Sequence, residues 1–354
     1  MTLTLPDHGR VDILGLIVSL PDQFTAALDI FDGSRLPDLR KDFPNILFTG
    51  VGGSALAGDC ARAALTDELR VPLLVNREYT LPAFAGERTL LLVSSYSGNT
   101  EETLRAYRDG RKRKARIIAI TSGGELARRA RKDGVPVLLI PGGLPPRCAL
   151  GYSFALTVCV LSAAGLVGDK RRHLQEAARV TCRLRDEELQ PGVSPEKNEA
   201  KRIAGLLAGK LCAIYGWSKY LDCAVIRWRS QIGENAKAFA TSNLLPEMDH
   251  NEIMGFRHPR PVLKNTVAIF LTDKEEPQRI RQRTVLTRSI IQERVHRVIE
   301  VRSRGESRIA KIASLMYIGD FVSYYLALRN GDDPAEISEI DALKKGLARR
   351  KYSW

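Results

Sequence analysis

The stretch Thr89–Thr103, TLLLVSSYSGNTEET, constrains the fold of this chain more than any other. Thr89 to Val93 is a short apolar run that reads as a buried strand. The run breaks into hydroxyls and a glycine and then closes as a helix start. Asn99 stands where an N-cap belongs, and Glu102 follows three residues later where a capping box needs it. Gly98 supplies the backbone freedom of a tight strand-to-helix turn. Ser95, Ser97 and Thr100 then crowd around exposed N–H groups at the positive end of a helix, which suits a phosphate. No lysine lies in the loop, so it is not a Walker-type nucleotide loop, and a phosphate monoester held by hydroxyls and amides is the better match. The plain alternative is a serine-rich turn that only caps a helix, the commoner use of such a composition.

A second strand-to-helix turn precedes it. NILFTG (Asn45–Gly50) reads as a strand and runs straight into GVGGSALAGDCARAAL, where Gly50, Gly52 and Gly53 permit close backbone approach before a helix. Gly50, Gly52 and Ala55 formally satisfy a dinucleotide fingerprint. The next strand, Val71–Val75, ends in Asn76 and Arg77 rather than in a ribose-binding acid, and a dinucleotide leaves the Ser95–Thr100 turn without a purpose. Two glycine- or hydroxyl-rich turns on successive strands fit one small anion better. Lys114–Thr121 (strand), Glu125–Asp133 (helix) and Val135–Ile140 (strand) continue a βαβ series, hence a parallel sheet covered on both faces. The proline- and glycine-rich loop Pro141–Pro146 presents Arg147 just before an apolar helix, Ala149–Leu166. A cation is poorly placed at the positive end of a helix, so Arg147 calls for an anion nearby.

A long charged helix, His173–Leu189, leads to QPGVSPEKNEA (Gln190–Ala200), whose prolines and glycine mark a domain linker. The second half repeats the pattern in outline. Lys210–Gly216, Val267–Thr272 and Val295–Val301 read as strands, and Pro277–Glu293, Arg308–Leu328 and Pro334–Arg350 as helices. IGENAKAFA follows a helical stretch, and TSNLLPEMDHNEIMGF reads as a polar loop. The 354 residues favour two domains and allow a sizeable core. The formal charge of +13 admits nucleic acid, a membrane surface or an anionic metabolite as partner. The basic residues are dispersed through helical segments, aromatics make up 6%, and no nucleic-acid-binding signature accompanies them, so a solvated arginine-rich surface is expected and no nucleic acid. Six cysteines without a CxxC pair and five scattered histidines give no disulfide framework and no metal site. With no secretory signal pattern and no apolar run of the ~20 residues that span a bilayer, a cytoplasmic protein without membrane attachment is expected.

GVGGSALAGD, SYSGNTEET, PPRCALGY, IGENAK, DHNEI and a terminal IDALKK occur in this order. Together they resemble the bifunctional phosphoglucose/phosphomannose isomerase family of the sugar isomerase (SIS) domain superfamily. The resemblance covers the chain from about Asn45 to Lys345. It implies an α/β protein of two SIS domains, each a five-stranded parallel sheet in an α/β/α sandwich. The expected organisation is an N-terminal helical segment (1–44), a first SIS domain (45–189), a linker (190–200), a second SIS domain (201–333) and a C-terminal helix (334–354) that contributes to the active site. It also implies a homodimer with shared active sites and interconversion of glucose or mannose 6-phosphate with fructose 6-phosphate.

Carried over by position, the resemblance implies that the substrate phosphate lies against Gly53, Ser54 and the turn bearing Ser95, Ser97 and Thr100. Glu234 in IGENAK matches the family's base. His250 in DHNEI matches the histidine that opens the sugar ring, which the family supplies from the partner subunit. Arg147 matches the arginine that steadies the enediolate. Lys344 matches a lysine near the ring oxygen, with Lys345 beside it as the alternative. The family carries small or hydroxyl side chains just before that lysine, a feature tied to the mannose epimer. Here the segment is Ala335–Ile340, with Ile337 at the place, which sets the glucose activity ahead of the mannose one.

The chemistry suits these residue types. Aldose–ketose isomerisation moves a proton between neighbouring carbons through a cis-enediolate, and one positioned carboxylate contributes about 10²–10⁴ in rate. A fixed cation stabilises the developing oxyanion where water is excluded, and histidine titrates in the range that ring opening needs. Neither a metal nor a redox cofactor is implied. A non-catalytic sugar-phosphate sensor would keep the cradle without Glu234 or His250, and an isomerase of another phosphosugar is the third possibility.

Overall fold

A computed structural model describes residues 11–34, 36–40 and 42–350. Helices α1 (Ile13–Val18) and α2 (Leu20–Asp32) lead into β1 (Asn45–Thr49), α3 (Gly53–Leu65) and β2 (Leu73–Asn76). Then come β3 (Thr89–Ser94), α4 (Glu101–Lys112), β4 (Arg116–Thr121), α5 (Gly124–Lys132) and β5 (Val137–Leu139). These five strands pair in parallel in the order β2-β1-β3-β4-β5. Every residue of β3 is buried, as is all of β1 and β4 beyond the first residue, because helices cover both faces of the sheet.

Helices α6 (Leu150–Ala163), α7 (Arg171–Leu184) and α8 (Glu199–Leu207) carry the chain to its second half. There β6 (Leu211–Trp217), α9 (Asp222–Ala236), β7 (Ala240–Leu245), α10 (Arg260–Leu263), β8 (Thr266–Thr272), α11 (Gln278–Ile291) and β9 (Arg297–Arg302) build a parallel sheet in the order β7-β6-β8-β9. The long helix α12 (Arg308–Asn330) and α13 (Ser338–Arg349) follow.

Two expectations change. The second sheet has four strands among the described residues, not five, because the chain passes from β9 directly into the 23-residue helix α12. And residues 241–245, read as the start of a loop, belong to the edge strand β7, paired only with β6. Its Thr241, Ser242 and Asn243 are half-buried, a composition that an edge position accepts and that hides the strand from hydropathy.

Helix α12 ties the halves together. Every residue from Ile309 to Ala327 is buried, as in a helix packed on all sides. It lies against α7, α8 and α9, and one continuous apolar core runs through both halves. At its crossing with α9 the Trp228 indole donates to the Leu315 carbonyl (2.7 Å). A Cβ on Gly319 would fall 2.5 Å from that indole nitrogen, so only glycine permits the approach. No described helix is long and apolar enough to cross a membrane.

Candidate active site

The chain leaves β1 toward β2 and leaves β3 toward β4, on opposite sides of the first sheet. The carboxyl ends of β1 and β3 therefore flank a topological switch point, the crevice where ligands of open parallel sheets bind. Helices α3 and α4 both begin there, and neither carries a side-chain cap.

The Ser95–Thr100 turn forms the floor of the crevice. The Ser95 and Thr100 hydroxyls are 3.0 Å apart, and the Tyr96 N–H donates to Ser54 Oγ (3.2 Å), which joins the two turns. Ser97 is exposed, and its Oγ accepts from the Asn99 N–H (3.2 Å). The turn after β4 holds this one from behind. The Thr121 and Ser122 hydroxyls donate to the Tyr96 carbonyl (3.3 and 2.7 Å), and the Leu126 N–H donates to the Gly98 carbonyl (2.9 Å). Gly98 has φ +68°, and a Cβ there would lie 2.0 Å from the Gly123 oxygen. The expected capping box does not form. Helix α4 starts at Glu101, with Thr100 at the N-cap position, because the Asn99 carboxamide is taken by the Glu125 N–H of α5 (3.0 Å). The first turn of α4 is thus left without a side-chain cap, the arrangement in which helix amides can meet an anion.

The loop after β5 closes the crevice. The Tyr96 hydroxyl donates to the Pro141 carbonyl (3.0 Å) and accepts from the Leu144 N–H (2.7 Å), linking the cradle to the loop that carries Arg147. Burial raises the Tyr96 phenol above its ordinary value, so it stays a donor. A Cβ on Gly53 would stand 3.2 Å from the Pro146 oxygen, so α3 abuts this loop.

Arg147 is 3% exposed and uses its whole guanidinium edge. Nη1 donates to Glu234 Oε1 (2.9 Å), Nε to Asn235 Oδ1 (2.8 Å) and Nη2 to the Pro334 carbonyl (2.8 Å). Glu234 stands in the last turn of α9 with its side chain 29% exposed. The anion that Arg147 called for is thus a carboxylate from the other half of the chain. Behind it, Arg227 Nη2 donates to the Arg147 carbonyl (2.8 Å) and pairs bidentately with Asp320 (2.8 and 2.9 Å), all buried. Burial raises the Asp320 carboxyl above its ordinary value, opposed by the Arg227 charge. Asn235 Nδ2 donates to Ser323 Oγ (2.9 Å), which completes the frame on α12.

His250 and Lys344 are not part of this assembly. His250 is exposed in the turn after β7, while its neighbour Asp249 is held by Arg283 (3.2 Å) and Thr287 (2.8 Å) of α11. Lys344 and Lys345 lie on α13, whose described side chains are all exposed. Ile337, just before α13, is half-buried.

The matching crevice of the second sheet is closed by its own acid. The turn between β8 and α11 places Asp273, fully buried, among the Tyr220 and Ser303 hydroxyls, the Glu275 N–H (2.8 Å) and the fully buried Lys311 ammonium (3.4 Å). Those donors lower the Asp273 carboxyl against the opposing effect of its burial. Among the described residues of the first crevice no acid occupies the corresponding place between β3 and α4. Among the described residues no group of three or more His, Cys, Asp or Glu side chains could hold a metal ion.

Asn235, Arg227, Asp320 and Tyr96 escaped sequence reasoning. Asn235 and Tyr96 sit inside the IGENAK and SYSGNT motifs and could have been singled out. Arg227 and Asp320 are 93 residues apart and carry no local signal.

The chain is similar to known proteins in sequence and in fold. Residues 196–347 match the model of the bacterial phospho-glucose isomerase C-terminal SIS domain. The chain is 41% identical over 335 residues to a bifunctional phosphoglucose/phosphomannose isomerase from Caldicellulosiruptor bescii, covering 95% of this chain and 98% of that protein. It is 32% identical over 317 residues to the protein of the same name from Aquifex aeolicus, covering 88% and 94%. Among solved structures, the C-terminal domain of glucosamine-fructose-6-phosphate aminotransferase from Francisella tularensis shares the fold, with a TM-score of 0.72 at 15% identity over 94% of this chain and 100% of that one.

Proposed function

Given that the chain belongs to the bifunctional phosphoglucose/phosphomannose isomerase family, we propose that its crevice converts glucose 6-phosphate and mannose 6-phosphate to fructose 6-phosphate and back as follows. The phosphate sits on the uncapped amides of α3 and α4 and the hydroxyls of Ser54, Ser95, Ser97 and Thr100, which leaves the sugar carbons toward Arg147 and Glu234. The Glu234 carboxylate removes the C2 proton of the open-chain aldose. The electron pair forms the C1–C2 double bond, and charge collects on oxygen beside the Arg147 guanidinium. Transfer of the O2 proton to O1 and return of the carbon-bound proton to C1 give the ketose. Re-addition at C2 from either side of the enediolate gives the two aldose epimers.

The observation that supports this reading best is the 2.9 Å contact between Arg147 and Glu234. A carboxylate and a cation from opposite halves of the chain meet beside the crevice at which α3 and α4 begin. Burial of Arg147 and its buttressing by Arg227 fix the cation in advance, which is what stabilisation of a developing oxyanion requires.

His250 then opens the ring from the partner subunit, and Lys344 approaches the ring oxygen, in a homodimer. Two apolar surfaces support a second copy as partner. On α13, Ile340, Leu343 and Leu347 fall on one helical face and are 39%, 65% and 53% exposed. On α11, beside the His250 turn, Val285, Leu286 and Ile290 are exposed as well. A phosphorylated sugar does not pass a bilayer unaided, which supports a cytoplasmic location alongside its substrate. Coupled assay of fructose 6-phosphate formation from each aldose 6-phosphate tests the reading. Turnover of both supports it, and turnover of neither defeats it.

A further inference from the structure

We propose that Lys237 is a positioning residue of this site: its ammonium group locks the end of α9 that carries Glu234 to the strand of backbone that Arg147 also grips. The proposal rests on the isomerase reading of the crevice.

Lys237 ends α9 in the left-handed conformation, with φ +49°. Glycine is the usual residue at such a C-cap, since an L side chain there is strained. The side chain retained at this position has a specific use. Its Nζ lies 3.2 Å from the Glu234 carbonyl, 3.1 Å from the Asn235 carbonyl and 2.5 Å from the Asp333 carbonyl. The first two are end-of-helix acceptors with no partner inside the helix. The third belongs to the segment entering Pro334–Ile337. The next carbonyl along, that of Pro334, is the one Arg147 Nη2 holds at 2.8 Å. Two cations therefore hold consecutive peptide groups. One of them contacts the Glu234 carboxylate, and the other contacts the Glu234 main chain.

The ammonium stays there against opposition. Burial, and then the Arg147 charge, lower the Lys237 pKa from its ordinary value, while Asp332, Glu336 and Asp333 act the other way. The geometry has two consequences. The last turn of α9 cannot rotate without pulling on residue 333, so the Glu234 carboxylate keeps its aim at Arg147. And the backbone leading to Ile337, the segment nearest the epimer question, is fixed relative to the base.

The backbone and the ammonium can be tested separately. Lys237→Gly removes the ammonium and relieves the left-handed strain, which offsets part of the lost hydrogen bonding, so the variant still folds. Lys237→Met removes the ammonium and leaves the strain as it was. If positioning is the role, both variants lose about 10- to 100-fold in kcat with KM nearly unchanged, the effect of a slight misplacement at the reacting centre, and Lys237→Arg recovers most of the loss. Wild-type kcat in a well-folded Lys237→Gly protein overturns the proposal. Hydrogen exchange reads the tether without any substrate: amides of residues 332–338 exchange faster in Lys237→Gly than in wild type, and equal rates also overturn it. Because that measurement is independent of turnover, a wild-type protein inactive on both sugars would fail the isomerase reading while leaving the tether to stand or fall by itself.

Discussion

Gly98→Ala should disable the cradle while leaving the fold in place. Gly98 has φ +68°, where an L residue costs about 1–2 kcal/mol. The new methyl would also sit 2.0 Å from the Gly123 oxygen, against about 3.3–3.6 Å for an ordinary carbon–oxygen approach. Gly123 cannot yield alone, since its neighbour Gly124 is packed against the same turn: a Cβ on Gly124 would fall 2.2 Å from the Ser97 oxygen. The turn must therefore open by more than about 1 Å at the residues proposed to hold the phosphate, a displacement of the order that removes about 10²-fold in rate. The strain of about 1–3 kcal/mol lies below the 5–15 kcal/mol that holds a typical domain, so the protein still folds. The assay is steady-state isomerisation of glucose 6-phosphate with a parallel melt. KM should rise strongly, with the protein folded and an unphosphorylated sugar no worse a ligand than before. A folded Gly98→Ala enzyme with wild-type KM would refute the assignment of this turn to phosphate.

Asp320→Ala leaves the Arg227 guanidinium buried without its charge partner, and urea unfolding should show a loss of about 3–5 kcal/mol; a loss under about 1 kcal/mol would mean that the pair is not what holds the frame behind Arg147. Burial pushes the 3%-exposed Glu276 carboxyl from its ordinary 4.5 up to about 7. A carboxyl raised by folding binds its proton more tightly in the folded state, so its penalty is absent below pH 4.5, grows up to about pH 7 and persists above. Glu276→Gln, which keeps an acceptor for the Asp273 N–H, should therefore melt higher than wild type above pH 7 and no higher below pH 4.5; equal melting at both ends would contradict the buried, proton-hungry carboxyl. If the proposed homodimer uses α13, Leu343→Glu puts a charge in the middle of its exposed apolar stripe and should shift sedimentation from dimer to monomer; a dimer that persists in the variant would contradict that interface.

The first half was readable because its signals are local. The apolar run of β3, the glycine of its turn and the start of α4 lie within fifteen consecutive residues, and the physics of a strand-to-helix turn acts over that range. Arg147 was readable for a different reason, as a cation at the wrong end of a helix, although the sequence could not say that Glu234 would answer it. The Asn99 cap was misread because its competitor, the Glu125 amide, lies 26 residues away. The strand β7 was missed because an edge strand half-covered by loops can be made of Thr, Ser and Asn. The Arg227–Asp320 pair, Lys237 and the self-filled acidic crevice of the second sheet depend on contacts across the whole chain, and no window of sequence contains them. The count of strands in the second sheet was inherited from the resemblance, and the direct passage from β9 into α12 decides it otherwise.

The central claim is that a carboxylate from the second half works on a sugar anchored by the first. Glu234→Gln tests it directly, because the amide keeps the shape and an acceptor for Arg147 but cannot take a proton from carbon. Its kcat for glucose 6-phosphate should be lower by about 10²–10⁴, with 6-phosphogluconate bound as tightly as by wild type. Wild-type turnover in that variant would contradict it.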